Sequence, residues 1–129
     1  MPFDWQGYVA LARDLERQAG AAPEPESLQR SAVSRAYFGA YCHARNYAKN
    51  FLEFAAREDA DDHGRLRAHL KGKRRKGDAD RLEQLRQLRN EADYLDELPW
   101  SDRAVTVAAA LLAAEYIYRS LTPPKATEQ

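Results

Sequence analysis

Apolar residues recur at helical spacing along most of the chain. Between positions 27 and 54, Val33, Ala36, Tyr37, Ala40, Tyr41, Ala44, Tyr47, Ala48 and Phe51 fall at i, i+3, i+4 and i+7. Phe38 and Cys42 widen that stripe, and no proline interrupts it. One long helix over 27–54 is predicted. Its alternation of alanine with aromatic rings suits a rod gripped on several sides, since alanine admits close neighbours and the rings fill the gaps beside it.

Before it, Trp5, Tyr8, Val9, Ala12, Leu15 and Ala19 mark one face of a first helix. Asp4 reads as its N-cap, Phe3 and Tyr8 as a hydrophobic staple, and Gly20 as its end. After position 54 the pattern weakens into the polar run EDADDHG. Asp59, Asp61 and His63 alternate there as in a calcium loop, but Leu70 stands where a bidentate glutamate is needed. A short helix over 62–70 follows. Gly72 and Gly77 then enclose the basic residues Lys73, Arg74, Arg75 and Lys76, which reads as a break.

Asp78 is placed to cap the next helix, 79–98, whose buried stripe is Leu82, Leu85, Leu88 and Ala92 and which Pro99 halts. Ser101 or Asp102 caps a last helix over 104–121 that is apolar almost all round. Such a helix must be enclosed by others or share its outer face with a second chain. No internal repeat and no strand-period alternation is visible. The expected fold is all-α: an up-down bundle of four main helices plus one short helix, forming a single domain over 1–122. A flexible tail over 123–129 is expected, with Pro123 and Pro124 at its start.

With 129 residues, one domain has room for a core without staples. Twenty basic and twenty acidic side chains give a formal net charge of zero, so any anion-binding claim rests on local clustering. Cys42 is the sole cysteine and falls mid-helix, which excludes an internal disulfide and favours a small buried side chain. The N-terminal residues do not form a secretory signal, and the most apolar stretch, 104–118, is too short to span a bilayer and contains Glu115. A soluble cytoplasmic protein without membrane partners is expected. One cysteine and no HExxH spacing leave no metal site or cofactor to predict.

Candidate chemistry concentrates in LRQLRNEADY. Arg86, Arg89 and Asp93 share one flank of a helix, where a guanidinium could hold either Asp93 or a phosphate. An intrahelical Arg89–Asp93 pair is the plainer meaning. The run Lys73–Lys76, with Arg65 and Arg67 nearby, is a second candidate phosphate patch, though a solvated loop is the commoner meaning of such a run. It contains no aromatic residue on which a base could stack. His43 reads as a packing residue, and adjacent Cys42 and His43 point too far apart to form a nucleophile–base pair.

SRAYFGAYCHARNY in the long helix, HGRLRAHL after it and LRQLRNEADY before the final apolar helix together resemble a HEPN domain over about 28–121. The likeness is to small stand-alone HEPN proteins, with an SRAYYAAFHAAR-like helix and a later LRxxADY. The resemblance implies a dimerising bundle of helices. Many members are metal-independent ribonucleases; others bind RNA or nucleotides, or partner a small nucleotidyltransferase in toxin–antitoxin pairs. The family's signature is an arginine, a polar residue and a histidine four to six residues on, paired across the dimer. Arg89 and Asn90 match its start, but Asp93 and Tyr94 stand where the histidine is due. A carboxylate beside a guanidinium is a poor proton donor.

Arg57 and His63 match the spacing formally but lie outside that helix, so the match reads as accidental. A histidine reaching Arg89 through space, His63 or His69, is the route left open. The favoured expectation is a HEPN module of a toxin–antitoxin or defence pair. It would bind RNA, nucleotide or a partner in a homodimer cleft lined by Arg86, Arg89, Asn90, Asp93 and Tyr94. The alternatives are a metal-independent ribonuclease with Arg89, Asn90 and Asp93 as catalytic residues, and a helical scaffold docking a nucleotidyltransferase.

Overall fold

The computed structural model describes residues 2–123, and all its regular structure is helical. Five helices follow in order: α1 (Gln6–Ala21), α2 (Glu26–Phe51), α3 (Asp62–Gly72), α4 (Lys76–Tyr94) and α5 (Arg103–Ser120). There is no strand among the described residues. From position 124 on, the expected tail lies outside them. No helix of the described residues is long and apolar enough to cross a membrane.

The long rod, α2, touches all four other helices. Ala32, Ala36, Ala40, Ala44 and Ala48 are buried along it, with Val33, Tyr37 and Tyr41 between them. Small side chains let α1 lie close. A Cβ built on Gly39 would fall 2.9 Å from Val9 Cγ2 and 3.1 Å from the Trp5 carbonyl oxygen, so only glycine fits that approach. Leu82 and Leu85 of α4, Leu66 and Leu70 of α3, and Leu111 and Ile117 of α5 complete the core.

Several helix ends differ from expectation for local reasons. Asp4 accepts the Gln6 N–H at 3.0 Å, and the Phe3 and Tyr8 rings meet edge to face at 5.7 Å, as the capping and staple readings require. Gly20, however, stays helical, and α1 stops at Ala21 because Pro23 drives Ala22 into extended backbone. The long helix ends at Phe51 rather than 54. Glu53 adopts a left-handed φ of 60°, and the chain folds back so that the Phe54 N–H reaches the Ala48 carbonyl at 3.0 Å. That reversal buries Phe54 and leaves Phe51, expected in the core stripe, 52% exposed.

Gly72 and Gly77 are both helical, so the break between α3 and α4 shrinks to residues 73–75. It closes as a Schellman motif: Arg74 takes a φ of 63°, with Arg75 N–H to the Leu70 carbonyl at 2.8 Å and Arg74 N–H to that of Lys71 at 3.2 Å. Asp78 consequently lies inside α4 and caps nothing. It is buried, and it accepts a hydrogen bond from the Ser120 hydroxyl at 2.9 Å, tying the start of α4 to the end of α5. Its Oδ1 has no partner among the described residues.

At its other end α4 stops at Tyr94, before Pro99 can act. Arg30 of α2 reaches across to donate to the carbonyls of Ala92 at 3.1 Å and Leu95 at 2.5 Å, taking up acceptors that a helix end leaves open. Of the two capping choices for α5, Asp102 is the cap, accepting the Val105 N–H at 3.2 Å. That helix is enclosed on one side only. Val107, Ala110, Leu111, Ala114 and Ile117 are buried, while Val105, Leu112 and Tyr116 are exposed. Glu115 is answered by Arg13 of α1, whose Nε donates to Oε2 at 2.9 Å.

Candidate phosphate-binding groove

A groove of about 510 Å³ runs between α3 and α4, lined by Phe38, His63, Arg67, Arg86, Arg89 and Asn90, with Asp61 and Gly64 at its rim. Helical spacing accounts for its two walls. Arg86, Arg89 and Asn90 share the flank of α4 beside the leucine stripe, and His63 and Arg67 are one turn apart on α3.

Arg89 is three-quarters shielded from solvent and lies over the Phe38 ring at 4.8 Å. Its Nη1 donates to Asn90 Oδ1 at 3.2 Å. Its Nε lies 2.9 Å from Asp93 Oδ2, but the N–H points off that line, so the buried Nε has no aligned acceptor. Asp93 is also bonded by the Ser34 hydroxyl at 3.2 Å. It therefore anchors Arg89 to α2 and does not line the groove. Arg86 holds Glu83 through Nε and Nη2 at 2.8 and 2.9 Å, and Arg67 reaches the same carboxylate at 3.2 Å. One glutamate thus faces two guanidinium groups. The Arg86 hydrogen bonds draw the Glu83 carboxyl below its ordinary range. Of the charged side chains that line the groove, three are guanidinium groups and one, Asp61, is a carboxylate; Glu83 and Asp93 pair with those guanidinium groups without lining it.

His63 arrives through space from the first turn of α3. Its ring stacks on Tyr41 with centroids 4.0 Å apart and planes 4° from parallel. Its Nδ1 is hydrogen-bonded to the Tyr37 hydroxyl. Burial, followed by the Arg89 and Arg67 charges, holds the His63 pKa below its ordinary value, so the ring is neutral at pH 7. Burial also pushes the Tyr37 phenol up, and that of Tyr41 to about 12. The Tyr37 hydroxyl keeps its proton, and Nδ1 is the partner it has among the described residues. Donation to Nδ1 leaves the imidazole hydrogen on Nε2. A neutral Nε2–H beside three guanidinium groups is a donor suited to a phosphate oxygen and a poor proton acceptor.

The sequence-derived residues divide accordingly. Arg86, Arg89 and Asn90 meet in the groove; Asp93 sits behind Arg89. Tyr94 ends α4 with its ring 5.6 Å from the Arg89 guanidinium. Lys73, Arg74, Arg75 and Lys76 lie at the opposite end of α4, about 20 Å along the axis from Arg89. There Lys76 pairs with Asp80, Lys73 with Glu53, and Arg75 packs over Tyr47. The structure does not bring that run to the groove. His69 is also elsewhere, bonded to the Leu52 carbonyl at 2.6 Å, and His43 packs on Tyr118 and bonds the Leu121 carbonyl. Sequence reasoning missed Arg67 as a groove residue, and it held His63 only as an open possibility. HGRLR offered the signal, since a four-residue step places both on one helical flank.

No group of three or more His, Cys, Asp or Glu side chains among the described residues could hold a metal ion. Comparisons with protein-family models, with curated proteins and with solved structures return no match.

Proposed function

We propose that this protein is a HEPN-like up-down bundle that recognises RNA or nucleotide phosphate in the α3–α4 groove. The observation that carries the reading is the convergence of Arg67, Arg86 and Arg89 with a neutral His63 around one opening. Guanidinium groups match phosphate oxygens in geometry and charge, and partly shielded ones are screened less than those on open surface. In this reading the protein is a cytoplasmic homodimer and one half of a toxin–antitoxin or defence pair, with a nucleotidyltransferase as the kind of partner it docks. The motif resemblance supports that part, and the uncovered face of α5 is the surface it would use.

A second reading has its own support. The histidine absent from α4 has a counterpart in His63, brought to Arg89 from α3, as a metal-independent ribonuclease would need. The Tyr37 hydrogen bond weighs against it, because it leaves Nε2 protonated. Purified protein incubated with end-labelled single-stranded RNA in EDTA separates the two. Retention of uncut RNA, weakened at least tenfold by Arg89→Ala, is the expected result. Each lost phosphate contact should also flatten the salt dependence by about 0.7 in slope. Cleavage abolished by both Arg89→Ala and His63→Ala would favour the ribonuclease. Failure of the wild type to retain RNA or nucleotide would end the phosphate reading.

A further inference from the structure

Tyr94 is the large apolar side chain beside the groove that the fold leaves unused. At 71% exposure it is the most solvent-accessible large hydrophobic residue of the described chain. Among the described residues, the one cation or aromatic ring paired with it is Arg89, 5.6 Å from the ring. Phe38, which lines the groove, also lies against this guanidinium, 4.8 Å from ring centroid to Cζ. Arg89 therefore lies between a cationic groove and an open aromatic face. A nucleotide presents the matching pair of surfaces, a charged phosphate and a flat base with a π-face. Aromatic side chains take up unpaired bases by stacking, whereas bases inside a duplex already stack on their neighbours.

We propose that Tyr94 is a stacking platform for an unpaired nucleobase whose phosphate lies against Arg86 and Arg89. The groove's ligand is then an unpaired nucleotide, either free or within a single strand. This rests on the phosphate reading above and narrows it. Nothing in the core depends on the Tyr94 ring, so its replacement leaves the fold intact.

The test compares wild type, Tyr94→Ala, Tyr94→Trp and Arg89→Ala. The probes are inorganic pyrophosphate, adenosine monophosphate, a labelled single-stranded oligoribonucleotide and the same strand annealed to its complement. Tyr94→Ala is expected to weaken the single strand about tenfold while leaving pyrophosphate within twofold. Tyr94→Trp should retain strand binding, and the duplex should bind wild type and Tyr94→Ala alike. A matching loss for the mononucleotide assigns the platform to free nucleotide as well as to strand; a loss for the strand alone assigns it to RNA. If Tyr94→Ala binds the strand as tightly as wild type while Arg89→Ala loses it, the platform is refuted and the groove stands. If wild type binds none of the probes, both readings fall.

Discussion

The hydroxyl of Tyr37 meets Nδ1 of His63 where α2 backs onto α3. Tyr37 is a core residue of the central rod, so the bond ties a groove imidazole to the most buried part of the molecule. Tyr37→Phe removes the bond and keeps the ring. It should cost about 1 kcal/mol of stability, raise the His63 pKa and mix its two neutral tautomers. Imidazole nitrogen shifts followed through a pH titration check this; an unchanged single tautomer would contradict it.

Stability should depend on pH through two groups of opposite sign, the half-buried His63 and the buried Asp78. The folded His63 pKa lies below its ordinary value of 6.5, so the unfolded chain binds the proton first. Stability is full above 6.5 and falls as pH drops toward the folded value. Burial raises the Asp78 carboxyl above its ordinary 3.8, against the Ser120 hydrogen bond. Its stabilising effect is present below 3.8 and is lost as pH rises through the folded value. Asp78→Asn should therefore gain on the order of 1 kcal/mol at pH 7 and little at pH 3.5, by denaturant melts at both.

Two glycines should respond oppositely to alanine. Gly39→Ala forces a methyl group against Val9 and the Trp5 carbonyl and should cost about 1–3 kcal/mol. Gly20 is helical with open space around it, and Gly20→Ala should gain about 0.5–1 kcal/mol. Thermal melts of the two variants, moving in opposite directions, are the check.

Arg30→Ala uncaps the end of α4. Loss of the hydrogen bonds to Ala92 and Leu95 should cost about 1–3 kcal/mol. Amide exchange should quicken at residues 92–96 more than at the start of α4. Uniform acceleration along the helix would point to a general loss of packing.

Helix periodicity was strongest for α1, α2, α4 and α5, because α1, α4 and α5 each bury a stripe against α2, and weakest for the short α3, which packs mainly on α4. The Phe3–Tyr8 staple was also legible, and the cap of α5 was narrowed to Ser101 or Asp102, both being contacts close in sequence. What escaped depends on backbone conformations that residue type does not advertise. Glutamate at 53 and arginine at 74 are unusual in left-handed backbone, yet the first exchanges Phe51 for Phe54 in the core. The second shortens the break before α4 and so moves Asp78 from a cap into the interior. For the groove, the α4 residues could be read from spacing along one helix. The meeting of His63 with Arg89 could not, since it depends on how α3 lies against α4.

Both connections of α3 carry left-handed residues that are not glycine: Glu53 and Glu58 before it, Arg74 after it. At about 1–2 kcal/mol each, these conformations oppose the docking of α3 by an amount close to what burying Leu66 and Leu70 supplies. The segment bearing His63 therefore leans on its polar contacts as well, among them the Arg57 and Glu58 N–H groups on the buried Asp62 carboxylate and the His63–Tyr41 stack. Erosion of either leucine's packing would dismantle the imidazole side of the groove while the arginines of α4 stayed in place.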